Sequence, residues 1–114
     1  MATVIHIALF KLNAERMAVA YPGNALEEDI DTLRHGAVPG LIDIQFKPKD
    51  AEPWIGYVDG SKGYTHALVS RHESKEALRQ YMHDDHHHEL QKRMDPCVEE
   101  APLRMEIVVG GESA

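Results

Sequence analysis

The 114-residue sequence has few of the features that define several large classes of protein. Its single cysteine, Cys97, can build neither a disulfide framework nor a cysteine-based zinc site within one chain. No apolar run approaches the roughly 18 to 20 residues that a membrane-spanning helix needs, and residues 1–6 lack the pattern of a signal peptide. We therefore predict a cytoplasmic protein with no membrane partner, whose fold depends on packing.

Basic and aromatic residues are also scarce. Lys and Arg number 12 against 19 Asp and Glu, for a formal net charge of −7, and aromatic residues make up 6%. No stretch combines basic clusters with stacking aromatics, so nucleic acid is a poor candidate partner. The length suits one compact core and predicts a single domain over residues 1–114. Histidine, by contrast, is abundant, with five of the eight between His72 and His88.

The hydrophobic pattern predicts four strands, at residues 3–12, 41–46, 65–71 and 103–109. Helical character begins at residue 13 and is interrupted by Pro22-Gly23. A fresh helix is predicted over 24–36, with Asn24 and Glu27 as a capping box, and further helices over 74–83, capped by Ser74, and 86–93. The tail 110–114 is expected to fray.

Residues 47–64 contain two prolines and three glycines and are predicted to form a long loop. Trp54 and its apolar neighbours argue against disorder. Two interpretations remain open, a lid over a site and a loop that packs on its own small core.

The order of elements predicts an α+β fold with one antiparallel sheet and one helical layer. The first strand is apolar on both faces, with His6, Ala8 and Phe10 on one and Ile5, Ile7 and Leu9 on the other. Helices can cover only one face of a single sheet. We therefore expect a homodimer in which two sheets pack face to face.

Four segments, in this order, resemble the stress-responsive A/B barrel (Dabb) family: residues 4–12, Val38-Pro39-Gly40, residues 64–69, and Tyr81 with His87 six residues later. The resemblance extends from about residue 4 to residue 109. It implies a ferredoxin-like protomer with a four-stranded antiparallel sheet and helices on one face. It also implies a dimeric α+β barrel with a cavity in each protomer between sheet and helices.

The sequence is similar to polyketide cyclases of that family at His6, His66, Tyr81 and His87. The similarity implies a cofactor-independent acid/base enzyme of the lyase class, which closes a ring on a hydrophobic, oxygenated small molecule by aldol or dehydrative chemistry. His87 would be the general base, because imidazole accepts protons near neutral pH, and Tyr81 would donate a hydrogen bond to the developing oxyanion.

Seven further residues are candidates for substrate binding. His6 and His66 would present polar groups from the sheet, and the other five are Ala8, Phe10, Leu68 and Ser70 on the same strand faces and Trp54 on the loop. Two alternatives stay open. One is a non-catalytic stress-response or ligand-carrier protein, and the other is a cofactor-free oxygenase with Trp54 near its ligand.

The run from His83 to Glu89 invites comparison with a zinc site, because His83 and His87 are four residues apart. A helix break at Asp84-Asp85 is predicted between them, so we expect no functional metal and interpret the run as a solvated, helix-capping segment. Cys97 lacks a pattern that would stabilise a thiolate and is expected to be structural.

Overall fold

The computed structural model describes residues 2–110. The elements in chain order are β1 (Ala2–Leu12), α1 (Ala14–Ala20), α2 (Ala25–Thr32), a π-helical turn (Leu33–Ala37), β2 (Leu41–Pro48), β3 (His66–His72), α3 (Lys75–Met82), α4 (Asp85–Met94), a 3-10 turn (Asp95–Cys97) and β4 (Val98–Gly110). None of these helices reaches the length and hydropathy that crossing a bilayer requires. Fraying was predicted for 110–114, but Gly110 ends β4 and residues 111–114 lie outside the described part.

The strands form one antiparallel sheet in the order β2-β3-β1-β4. This confirms the predicted α+β class and the ferredoxin-like arrangement of sheet and helices. Alternation along β1 buries Val4, His6 and Ala8 beneath the helices. The core between sheet and helices includes Ile30, Ile44, Phe46, Tyr81 and Leu90.

The opposite face of the sheet is apolar and uncovered in the protomer. We call it the open sheet face, and it comprises Ile5, Ile7, Leu9, Val69, Leu103, Met105, Ile107 and Val109. Its members on β3 and β4 are 36% to 61% exposed. The predicted two-sided apolar character of β1 is confirmed.

Two strand predictions needed correction. Simple alternation over the predicted strand 41–46 places Ile42 on the same face as the buried Ile44 and Phe46, but Ile42 is 47% exposed because the register with β3 shifts between Leu41 and Asp43. The last strand begins at Val98 rather than at 103.

The prediction missed the first residues of β4 because Glu and Pro have low strand propensity, and this part contains Glu99, Glu100 and Pro102. Proline is tolerated there since β4 is an edge strand, and the register with β1 shifts between its Leu103 and Glu100 pairs.

The predicted caps of α3 and α4 are present. The Ser74 side chain accepts a hydrogen bond from the Ala77 backbone N–H, and the Asp84 side chain accepts one from the His86 N–H, so α3 and α4 are separate helices. The capping box at Asn24 was wrong. Its side chain caps nothing, because its φ of −96° and ψ of 16° differ from the extended geometry of an N-cap, and Asn13 caps α1 instead.

The turn that enters β2 lies against α3. Gly40 has a φ of +79°, and a Cβ placed on it would lie 2.5 Å from the Ala77 Cβ. Glycine is therefore required here both by the backbone and by the close approach of the helix. This contact helps to place α3 over the sheet.

Residues 49–65 form the predicted loop. Lys49 Nζ lies 2.7 Å from both Asp59 Oδ2 and Ser61 Oγ, which closes the loop on itself. Trp54 packs edge-on against Tyr57, with 4.6 Å between the ring centroids. The loop has a small cluster of its own.

Candidate functional site

A cavity of about 260 Å³ lies between the inner face of the sheet and helices α3 and α4. It brings together six of the nine predicted site residues: His6, Ala8, Phe10, Leu68, Tyr81 and His87. Most of the wall is apolar, and its polar residues are His6, Tyr81, His87, Gln91, Asp95 and Arg104. A dry cavity of about 150 Å³ can bind benzene, so this space suits a substituted aromatic ring.

Tyr81 and His87 are neighbours because the chain reverses between them. Tyr81 lies in the last turn of α3, His87 lies in the first turn of α4, and Asp84 caps the second helix between them. Their ring centroids are 4.5 Å apart at an interplanar angle of 55°. The spacing of six residues thus places both side chains on one wall of the cavity.

The Tyr81 hydroxyl is a buried donor without a partner. Its side chain is 0% exposed, and within residues 2–110 its oxygen makes no hydrogen bond. Burial, helped by the nearby Asp84 carboxylate, raises the pKa of Tyr81, so the phenol keeps its proton at neutral pH. It can therefore donate a hydrogen bond to an oxygen atom in the cavity.

His87 is held in its neutral form. Burial, followed by the imidazoles of His88 and His6, lowers its pKa to about 4. Its Nδ1 is also buried and lacks a partner in the described part of the chain. At neutral pH this side chain has a free lone pair.

His6 reaches the cavity from the sheet and is 3% exposed. Its Nδ1 lies 2.7 Å from Oε2 of Glu106, which faces it across the β1–β4 pair. Sequence reasoning missed Glu106. Alternation in a strand already predicted over 103–109 offered candidates, but the register that selects Glu106 is a property of the sheet.

His72 was also missed. It is completely buried, and its ring centroid lies 4.9 Å from that of Tyr81. Burial, then His6 and His87, lower the pKa of His72 to about 4. Extending the predicted third strand by one residue would have found it, because it shares a face with His66, Leu68 and Ser70.

Three predicted site residues lie outside the cavity wall. Ser70 is buried one layer away, with Oγ 2.8 Å from His72 Nε2. The His66 ring packs on Phe46, its Nδ1 lies 2.8 Å from Thr65 Oγ1, and burial lowers its pKa. Trp54 is 64% exposed on the loop and does not line the cavity of its own protomer.

The histidine-rich run does not assemble a metal site. Within residues 2–110, no group of three or more His, Cys, Asp or Glu side chains is arranged to hold a metal ion. His83 Nδ1 lies 2.8 Å from the Arg79 carbonyl oxygen, and the Asp84 cap separates its helix from that of His87. Cys97 is buried, and burial raises the pKa of its thiol.

Comparison with solved structures shows the same fold in other proteins. A dimeric protein of unknown function and ferredoxin-like fold from Bacteroides fragilis has a TM-score of 0.70 and 19% identity, covering 92% of this chain and 94% of that chain. The hydroxynitrile lyase from Passiflora edulis has a TM-score of 0.69 and 15% identity, covering 98% and 97%. A dimeric ferredoxin-like protein of unknown function from Thermobifida fusca has a TM-score of 0.67 and 17% identity, covering 95% and 92%.

Among curated proteins, none matches this sequence. The family model of the stress responsive A/B barrel domain matches residues 4–108, which is nearly the whole chain. The resemblance drawn from four short segments is thereby confirmed. The chain belongs to the stress responsive A/B barrel domain (Dabb) family.

Proposed function

We propose that the protein is a cofactor-independent acid/base enzyme that acts on a hydrophobic, oxygenated small molecule, with chemistry of the polyketide-cyclase type. One observation carries the proposal. A neutral imidazole, His87, lies against a buried and unpartnered phenol, Tyr81, at the wall of a mainly apolar cavity.

The two side chains suit abstraction of a proton from a carbon next to a carbonyl group. His87 accepts the proton at a nitrogen lone pair, and Tyr81 donates a hydrogen bond to the carbonyl oxygen as negative charge develops on it. The imidazolium and the enolate form together in a poorly solvated space, where their attraction is stronger than in water. This attraction compensates for the low pKa of His87.

Unpaired buried groups are costly in a folded protein. Tyr81 and His87 each have one such group, the hydroxyl and Nδ1, and both residues line the cavity. A bound carbonyl compound would supply the missing partner of the phenol, so the cost of folding the empty site is recovered on binding. This supports a ligand with a polar oxygen inside an otherwise apolar outline.

We further propose that the partner of the protomer is a second copy, bound through the open sheet face. The apolar side chains of β1 and β4 are adjacent on this face, where Ile7 pairs with Met105 and Ile5 with Ile107. Two of the structurally similar proteins are described as dimeric, which supports the assembly. Burying this apolar surface in the dimer would contribute a favourable free energy of about 25 cal/mol for each Å² removed from water.

The acid/base proposal is tested by deuterium exchange. Phenylacetone, a benzyl methyl ketone of suitable size, is incubated with the protein in D₂O, and loss of its α-proton signals is followed by NMR. The wild-type protein is expected to accelerate exchange, and His87→Gln is expected to reduce the rate by about 10²-fold or more, because general base catalysis contributes that much. His83→Gln is the matched control, because His83 is an exposed histidine in the same run.

Exchange that survives in H87Q would show that another group is the base. Binding of phenylacetone without any exchange by the wild type would contradict the enzyme proposal and support a ligand carrier. The oxygenase alternative depends on Trp54 near the ligand, and the exposed position of Trp54 on its own protomer gives it less support.

A further inference from the structure

We propose that Glu106 is a positioning residue that fixes the tautomer of His6 and thereby makes His6 a second proton-transfer group of the cavity. The inference deepens the proposed function and rests on it for the chemical role of His6. The contact between the two residues is independent of that role.

The geometry determines where the ring carries its hydrogen. His6 Nδ1 and Glu106 Oε2 are 2.7 Å apart, and a carboxylate oxygen is an acceptor. An unprotonated Nδ1 would also be an acceptor, and two acceptors would repel at this distance. Nδ1 therefore donates to Glu106, and in the neutral ring the lone pair is on Nε2.

Nε2 is left free for a ligand. Within residues 2–110 the only side-chain contact of hydrogen-bond length that His6 makes is the one from Nδ1, and its ring forms part of the cavity wall. The ring centroid lies 6.4 Å from that of Tyr81. Because the two nitrogens lie on different edges of the imidazole, holding Nδ1 against β4 turns Nε2 away from β4.

The carboxylate distinguishes His6 from the other imidazoles around Tyr81. His72 has a serine hydroxyl at Nε2 and no partner at Nδ1, and His87 Nδ1 is also unpartnered. A carboxylate at Nδ1 orients the ring, as in the histidine–carboxylate pairs of hydrolases. Two imidazoles in different environments can then divide the acid and base roles between them.

In an aldol ring closure, these separate roles of His87 and His6 account for both proton transfers. His87 takes the proton from the nucleophilic carbon, the enolate carbon forms a bond to the second carbonyl carbon, and the oxygen of that carbonyl receives the proton from Nε2 of a protonated His6. The reaction leaves His87 protonated and His6 neutral, and proton exchange with water restores both. In the simpler exchange reaction, His87 removes the α-proton while the one ketone oxygen accepts the hydrogen bond from Tyr81 and the proton from Nε2 of His6.

The test compares substitutions of two acidic residues in β4. Glu106→Ala removes the contact with His6. Glu100→Ala is the matched control, since Glu100 makes the other β1–β4 ion pair, with Lys11 at 3.1 Å, and does not line the cavity. The tautomer of His6 is determined from ¹⁵N chemical shifts of the imidazole nitrogens, and kcat and KM are measured for phenylacetone exchange.

We expect Nδ1 of neutral His6 to be protonated in the wild type and in E100A, and this fixed tautomer to be lost in E106A. The kcat of E106A should fall by about 10²-fold with little change in KM, because the acid acts on the transition state. An unprotonated Nδ1 in the wild type, or an E106A variant with unchanged tautomer and kcat, would overturn the proposal. If the wild type shows no exchange, the proposed function fails and the proton-transfer role of His6 fails with it, whereas the ¹⁵N shifts still decide whether Glu106 fixes the tautomer.

Discussion

Removing the hydroxyl of Tyr81 is expected to stabilise the protein while it impairs the proposed reaction. The ring of Tyr81 is fully buried, and its oxygen lacks a hydrogen-bond partner within residues 2–110. A buried unsatisfied polar group costs about 1 to 3 kcal/mol. Tyr81→Phe keeps the ring and its packing, so the free energy of unfolding should rise by about 1 kcal/mol.

The same substitution at Tyr21 provides a control of opposite sign. The Tyr21 hydroxyl donates a hydrogen bond to the Leu90 carbonyl oxygen at 3.2 Å. Its loss in Tyr21→Phe should lower the free energy of unfolding by about 1 kcal/mol. Both variants remove one oxygen from a buried tyrosine ring, so the difference between them isolates the hydrogen bond.

The assay is urea denaturation of the three proteins at equal protomer concentration, because the stability of a protein that dimerises depends on its concentration. The urea concentration at the midpoint of unfolding should increase for Y81F and decrease for Y21F. The slope of the unfolding free energy against urea concentration should stay the same. A thermal scan should show a rise of about 4 °C for Y81F. In parallel, the exchange rate of Y81F should fall by about 10²-fold, the usual cost of losing one donor to an oxyanion.

A Y81F variant that is destabilised as much as Y21F would refute the reasoning. That result would mean that the hydroxyl has a strong partner in solution and is satisfied without a ligand. Tyr81 would then contribute to the stability of the core, and its role as a free donor would have to be abandoned.

Three further outcomes are expected. Because the pKa of His72 is about 4 in the folded protein and about 6.5 in the unfolded chain, the unfolded chain takes up the proton first. Stability should therefore decrease as the pH falls from 6.5 to 4, and urea titrations of His72→Phe should show a shallower decrease. Met105→Lys should place a charge in the open sheet face and convert the proposed dimer to a monomer in sedimentation experiments, whereas an unchanged dimer mass would exclude this face. Gly40→Ala should cost at least about 1 kcal/mol in thermal unfolding, because of its φ of +79° and the Ala77 side chain, whereas Gly60→Ala, with no atom within 4 Å of its Cβ, should be nearly neutral.

Local pattern was sufficient for most elements of the fold. Alternation in β1 and β3 correctly predicted which residues share a face, and the side chains of Ser74 and Asp84 marked the beginnings of α3 and α4. Residue propensities failed to predict the structure at positions where pairing with a neighbouring strand determines it. Ile42 is turned outward by a register shift that no local pattern indicates, and the acidic beginning of β4 is a strand only because β1 is beside it.

Prediction of the site was limited in the same way, because local pattern does not show which distant segments come together. Tyr81 and His87 were paired through the family resemblance, and in the structure the short turn between α3 and α4 brings them together. Glu106 could not be assigned to His6, since the two are 100 residues apart and only the pairing of β1 with β4 makes them neighbours. His66 is on the same face of the sheet as the cavity residues. It lies further along β3, where its ring packs against Phe46 and does not line the cavity.

The order of strands in the sheet has a consequence for how the chain folds during synthesis. β1 is made first and β4 last, yet they are adjacent in the sheet. Contacts between such distant segments slow folding, because a long loop must close before they form. Until the ribosome has released β4, one edge of β1 lacks its partner strand, and the nascent chain is most exposed to aggregation at this stage. The His6–Glu106 contact, which joins the same two strands, can form only after translation of Glu106, so the cavity is completed only after the other strands and the helices of residues 2–110 have been synthesised.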